Sequence, residues 1–346
     1  MPDERVQAAI SNWSPRFVSQ GVDMNDFERV TANVQTWPEW LPAWVANGDM
    51  HADLARDAEA HGRTLTAGQA WNRAALSYHF AKFVWMVELD RYRAAADKAV
   101  AALRNVHRLL DPRAERVEIP FESTTMVGNL RRPEGVDRAP LVLLLPGLDS
   151  TKEEFFEWEN VFLRRGLTTF SLDGPGQGET GYTTHIHPNY EVAVTAVLDH
   201  VQWDGPVGCA GVSLGGYYAP RAAAFEKRIG AAVGISGAYC FGEVWDARPS
   251  LTKETFQHHS GAATPEEARA KAFELTLEGA AEKIDQPLLV ITGKLDRLVG
   301  WEESKKIADE APNSTWVLFE EGNHVCNNIP YKYRPLAADW LKERLH

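Results

Sequence analysis

The sequence predicts an α/β fold, a mostly parallel sheet with helices on both faces, preceded by a helical domain. Three observations predict it. Residues 1–111 carry helical periodicity and no strand-like alternation of any length. From Arg116 onward, short apolar runs alternate with helical patterns, as strand–helix–strand units require. A serine flanked by glycines, in Gly211-Val212-Ser213-Leu214-Gly215-Gly216, lies where one apolar run gives way to a helix.

In chain order, Trp37-Pro38-Glu39-Trp40-Leu41-Pro42-Ala43-Trp44 reads as a loop or helix start whose tryptophans anchor packing. Trp71, Ala75, Tyr78, Trp85 and Leu89 recur at helical steps, with Leu76, Phe80, Phe83 and Val87 as a second stripe beside them. A helix apolar on so much of its circumference is expected to be buried. Ala96, Ala99, Leu103, Val106 and Leu110 predict a further helix with a narrower stripe. Asp111-Pro112 ends it, because the residue before proline avoids the helical region. The domain boundary is placed there, giving a helical domain over 1–111 and a catalytic domain over 112–346.

Arg116 to Phe121 and Met126 to Arg131 read as paired strands, and Leu141 to Leu145 as a strand covered on both faces. A helix is predicted over 152–165 and a strand over 168–172. Asp173-Gly174-Pro175-Gly176-Gln177-Gly178-Glu179 reads as a tight turn, since it lacks the glycine spacing of phosphate-binding loops. A helix over 192–200, the strand before Ser213, the helix after it and a strand over 231–235 follow. Residues from about 240 to 280 break the alternation and suit part of a lid. Within them, Thr264-Pro265-Glu266-Glu267 is a helix start with a capping threonine. Strands over 288–292 and 315–319, with helices over 302–311 and 331–346, complete the pattern.

The chain has 346 residues, 44% apolar, with a formal net charge of −12 and no basic run. That excludes nucleic acid and anionic membrane as expected partners and leaves a small molecule. The three cysteines, Cys209, Cys240 and Cys326, are too few and too scattered for a disulfide framework or a zinc site. Cys209 reads as a small buried hydrophobe, and Cys326 is close in sequence to His324. No signal-peptide pattern opens the chain and no apolar run reaches membrane-spanning length, so a cytoplasmic protein is expected. No cofactor or metal is expected. His185 and His187 lack a nearby carboxylate to complete a metal site.

Ser213 between a strand and a helix forms a nucleophile elbow. The turn is sharp, so its neighbours must be small. A serine hydroxyl needs a base, and in this arrangement acid and histidine follow from loops after later strands. Asp296 follows the strand over 288–292 and His324 follows the last strand. Strand ends on one edge of a parallel sheet face one crevice. His324 is therefore the expected base and Asp296 the acid that holds it. Asp246, after the strand over 231–235, is the alternative acid, farther from its strand end. The oxyanion donors are expected to be the amides of Leu214 and of Leu148, in the turn Pro146-Gly147-Leu148-Asp149.

Several stretches carry a family resemblance. They are Tyr78-His79-Phe80-Ala81-Lys82-Phe83, Pro146-Gly147-Leu148-Asp149-Ser150-Thr151-Lys152-Glu153-Glu154, Asp173 to Glu179, Ser213-Leu214-Gly215-Gly216 and Leu251-Thr252-Lys253-Glu254. Through them the chain resembles the α/β-hydrolases related to 2,6-dihydroxypseudooxynicotine hydrolase, which hydrolyse carbon–carbon bonds, and the polyketide-shortening hydrolases of fungi. The resemblance spans nearly the whole chain. It implies an α/β-hydrolase fold, an N-terminal helical cap over the active site, the triad Ser213, Asp296 and His324, and often a homodimer. It also implies an acidic residue that binds a diketone substrate, with Glu243 the nearest match and Asp246 the fallback. Asp149, His79 and Tyr78, within the shared stretches, are further substrate-binding candidates.

The expected reaction is cleavage of a carbon–carbon bond next to a carbonyl in a 1,3-diketone or β-ketoacyl compound, through an acyl-serine or by direct attack of water. An esterase, lactonase or thioesterase with the same triad is the alternative, since no residue distinguishes the leaving groups. A non-catalytic interaction protein on the same fold is the second alternative.

Overall fold

Eight strands form one sheet in the order β1-β2-β4-β3-β5-β6-β7-β8 in this computed structural model, which describes residues 2–136 and 138–346. The residues pack as two units. The first runs through Ala114 and also takes in Glu153–Glu157; the second comprises Glu115–Lys152 and Trp158–His346.

The first unit contains helices α1 (Glu4–Gln20), α2 (Met24–Thr31), α3 (Trp37–Ala60), α4 (Thr64–Ala81) and α5 (Leu89–Leu110). The tryptophan-rich stretch is the first two turns of α3, with Trp37, Trp40 and Trp44 all buried. Phe17 stacks on Phe80 at 3.8 Å between ring centroids, and Trp40 Nε1 donates to the Phe80 carbonyl at 3.0 Å. Aromatic rings thus bury their area while their polar edges find acceptors. The periodic stripe expected to continue through Trp85 and Leu89 does not lie on one helix, because α4 stops at Ala81. Val84 takes a left-handed φ of 43°, which turns the chain. Phe83 and Trp85 still reach the core from that turn: Phe83 packs edge-on against Trp13, and Trp85 Nε1 donates to the Trp37 carbonyl. Val87 and Leu89 are about two-fifths exposed, at 41% each.

One ion pair inside this unit is buried. Arg16 grips Glu154 with two bonds of 2.7 and 2.6 Å, Gln20 donates to Glu154 at 3.0 Å, and His79 lies 3.2 Å away. Burial pushes the Glu154 carboxyl up, but Arg16 and then His79 outweigh it and hold it well below the usual range. Burial, then the Lys82 charge, pushes His79 down, so Arg16 supplies the counter-charge.

The second unit carries β1 (Glu115–Phe121), β2 (Thr124–Arg131), β3 (Leu141–Leu145), α6 (Phe156–Leu163, its first two residues packing with the helical unit), β4 (Thr168–Asp173), α7 (Glu191–Val201) and β5 (Val207–Val212). Then come α8 (Gly215–Phe225), β6 (Ile229–Ile235), α9 (Ser250–His259), α10 (Pro265–Glu274), β7 (Leu288–Gly293), α11 (Trp301–Glu310), β8 (Ser314–Phe319) and α12 (Pro330–Leu345). β2 runs antiparallel to β1 and β4, and the remaining neighbours are parallel. Strands β3 to β7 are buried along nearly their whole length; β3, β5, β6 and β7 accordingly read as nearly continuous apolar runs, while β4 buries two threonines, a serine and Asp173.

The helix expected over 152–165 is shorter than its pattern. Lys152–Glu154 form a single 3₁₀ turn before α6. The Lys152 amide donates to Asp173 Oδ1 at 2.9 Å and its ammonium to Asp173 Oδ2 at 2.7 Å, which anchors this turn to the end of β4. The break over 240–280 is closed at its base, where Phe241 N donates to Leu275 O and Leu277 N to Tyr239 O, both at 2.9 Å. Inside it, Thr264 caps α10 by accepting from Glu267 N, and Phe256, Ala268 and Ala272 join the core cluster of the sheet.

Candidate active site

β5 lies at the centre of the sheet and ends at Val212; Ser213 follows with a left-handed φ of 57°. Holding a non-glycine residue there costs about 1–3 kcal/mol and persists only where neighbours over-determine it. Here they do. Ser213 N donates to the Ile235 carbonyl at 2.9 Å, and Gly216 N to the Ser213 carbonyl at 2.8 Å. A Cβ on Gly216 would stand 2.6 Å from Ile235 O and 2.7 Å from Gly237 N, and one on Gly215 would overlap Leu145 O. The glycines are therefore required by the backbone approach itself.

Ser213 Oγ is 2.9 Å from His324 Nε2, and His324 Nδ1 is 2.8 Å from Asp296 Oδ2. Asp296 Oδ1 accepts from the amides of Leu298 and Val299, each at 2.9 Å. That carboxylate is thereby fixed in rotation, with one oxygen left for the imidazole. The loops after β7 and β8 are tied together, since Leu295 N donates to Gly322 O at 2.8 Å. Beyond His324 the chain bends through Val325 and Cys326, at φ of 58° and 54°, and Val325 N donates to Ser236 Oγ at 3.0 Å. With Asp296 on His324 Nδ1, the tautomer that fits both contacts carries its proton on Nδ1 and accepts from the serine at Nε2.

The turn Pro146–Asp149 lies against the serine. A Cβ on Gly147 would be 3.2 Å from both Ser213 Cβ and Val212 O. Gln177 Nε2 donates to the carbonyls of Pro146 (2.9 Å) and Gly147 (2.8 Å), while its Oε1 accepts from Tyr190 OH at 3.0 Å. Gln177, in the glycine-rich turn after β4, thus holds the carbonyls of this turn, a role that nothing in the sequence pattern singles out. The amides of Leu148 and Leu214 have no hydrogen-bond acceptor among the described residues. Both residues are buried.

The other candidates separate. Asp149 is half-buried in the same turn. Glu243 and Asp246 are exposed, and Asp246 Oδ2 lies 3.3 Å from Arg269. The turn between Phe241 and Arg248 buries Phe241, Trp245 and Arg248 and leaves those two acids exposed, and the carboxylate facing His324 is that of Asp296, not Asp246. Tyr78 and His79 belong to the helical unit, where Tyr78 OH donates to Asp49 at 2.7 Å and His79 faces Glu154. The inward residue that sequence reasoning missed is Arg248, 5% exposed, whose Nε and Nη2 have no hydrogen-bond partner. Among the described residues, no helix is long and apolar enough to cross a membrane.

The profile of the alpha/beta hydrolase family matches residues 142–331. The chain is 32% identical to 2,6-dihydropseudooxynicotine hydrolase of Paenarthrobacter nicotinovorans, over 96% of this chain and 92% of that protein. The hydrolase acrC of Aspergillus aculeatus is 32% identical over 60% of this chain and 55% of its own length. The crystal structure of the 2,6-dihydroxy-pseudo-oxynicotine hydrolase aligns with a TM-score of 0.88 at 32% identity, covering 96% of each chain.

Proposed function

The chain belongs to the alpha/beta hydrolase family, and from that premise we propose that it is a serine hydrolase that cleaves a carbon–carbon bond next to a carbonyl in a small 1,3-diketone or β-ketoacyl compound. The observation that carries the catalytic part is the unbroken relay from Ser213 Oγ through His324 to Asp296. The choice of bond rests on the likeness to 2,6-dihydropseudooxynicotine hydrolase across nearly the whole chain.

In this reading Ser213 Oγ attacks the carbonyl as its proton passes to His324 Nε2. The Leu148 and Leu214 amides receive the developing oxyanion, free of competing acceptors. The tetrahedral intermediate collapses with scission of the carbon–carbon bond. Its electron pair leaves as an enolate, which the second carbonyl stabilises, and His324 returns the proton to that carbon. Water, deprotonated by the neutral His324, then attacks the acyl-serine and releases the acid.

The test is product analysis by mass spectrometry on aryl 1,3-diketones, β-keto acids, lactones and esters. A ketone and a carboxylic acid in equal amounts from a diketone, absent with Ser213→Ala, are expected. Turnover of esters and lactones alone would replace the reading with a carboxylesterase. An acyl adduct of Ser213 in the His324→Ala variant is expected; hydrolysis with no adduct would favour direct water attack. A homodimer in the cytoplasm belongs to the same reading, and light scattering checks the dimer.

A further inference from the structure

Arg248 is a buried cation without a counter-ion. It lies on the turn that follows β6, on the edge of the sheet where β5, β7 and β8 also deliver Ser213, Asp296 and His324. It is 5% exposed. Its Nε and Nη2 donate to nothing, and no carboxylate lies within ion-pair distance of it among the described residues. Its guanidinium carbon stands 3.7 Å from the centroid of the Phe241 ring, which is stacked on Phe256, with Trp245 edge-on to Phe256. Burial pushes Arg248 down to about 10, and the carboxylates that oppose this are first Asp296 and then Glu303. The residue therefore stays charged at neutral pH.

Such a placement costs stability. An enclosed charge with unsatisfied donors loses its hydration and gains no ion pair in return. Cation–π contact with Phe241 offsets part of that and leaves the N–H edge of the guanidinium unused. Arginine offers a planar fork of donors that matches a carboxylate. We propose that Arg248 is the specificity residue of the active site and binds a carboxylate carried by the substrate, the preferred substrate being a small keto acid rather than a neutral ketone. This rests on the hydrolase reading above and deepens it.

Binding separates the two. Benzoate and its neutral isostere benzamide are titrated calorimetrically into the wild-type protein, Arg248→Met and Arg248→Lys, and each protein is melted without ligand. The wild type is expected to prefer benzoate at least about tenfold, as a charge-assisted hydrogen bond in a buried site implies. Arg248→Met should lose that preference while retaining benzamide affinity, and Arg248→Lys should keep part of it. The melting temperature of Arg248→Met should equal or exceed that of the wild type, since an apolar side chain replaces an unpaired charge. Equal wild-type affinity for both ligands, an unchanged preference in Arg248→Met, or a lower melting temperature with loss of both ligands would each overturn the proposal. Fluorophosphonate labelling of wild-type Ser213, run in parallel, tests the hydrolase reading independently.

Discussion

Replacing Asp296 by asparagine isolates the orienting acid from every other part of the site. Asp296 Oδ1 is held by two backbone donors, Leu298 N and Val299 N. In the Asp296→Asn variant the amide oxygen must occupy that position, because an amino group there would face two donors. The amino group then points at His324 Nδ1, 2.8 Å from Oδ2 in the native protein. It donates, so Nδ1 must accept, and the imidazole proton moves to Nε2. That nitrogen can no longer take the proton of Ser213, although no atom has moved. In a triad, this tautomer reversal costs about 10⁴ in kcat, equivalent to about 5 kcal/mol of barrier. Steady-state hydrolysis of an aryl ester, with the rate of fluorophosphonate labelling of Ser213, measures it. Both rates should fall together while the melting temperature changes little. A folded variant that keeps activity within tenfold of the wild type would refute the assignment of Asp296.

Three further outcomes follow from the packing. Gly216→Ala places a Cβ 2.6 Å from Ile235 O, a backbone atom inside the sheet, and should lower unfolding free energy by about 2–4 kcal/mol in urea titrations. Glu154→Gln removes the partner of Arg16 and should cost about 3 kcal/mol at neutral pH. The Glu154 carboxyl is depressed on folding, so its contribution is present above its ordinary value of 4.5 and fades as pH falls below it; the gap between wild type and variant should narrow in acid denaturation series. Burial, then Asp296, pushes the Cys326 thiol up to about 12, so iodoacetamide at about pH 8 should label it only after denaturation, as peptide mapping would reveal.

Ser213, Asp296 and His324 were readable because each follows a strand whose apolar run is unmistakable, and a parallel sheet gathers such positions at one edge. The end of α4 was not readable. Phe83 and Trp85 keep helical spacing from Phe80 and Ala81 because the turn that carries them packs into the same core, and a left-handed valine leaves no mark on periodicity. Lys152 and Asp173 are far apart in sequence, so the bonds that anchor the 3₁₀ turn to the end of β4 could not be anticipated. Glu243 was nominated by the family resemblance and Asp246 by its place after the strand over 231–235, and the turn that carries them leaves both exposed while burying their neighbours Phe241, Trp245 and Arg248. Arg248 was invisible for the complementary reason. An arginine in an irregular segment resembles any surface cation until Phe241 is seen beneath it.

Glu153–Glu157 pack with a unit whose other residues all precede Glu115. The chain leaves the helices, builds its first three strands, and supplies Glu154 and Phe156 to the helical interior before returning to the sheet. Domains that fold during synthesis normally do so as soon as their last residue clears the ribosome, the amino-terminal one first. Here the nascent helices emerge with Arg16 still lacking its carboxylate, and they must wait for Glu153–Glu157 to be made. Cutting the gene at residue 114 would therefore part the helices from five residues that pack with them.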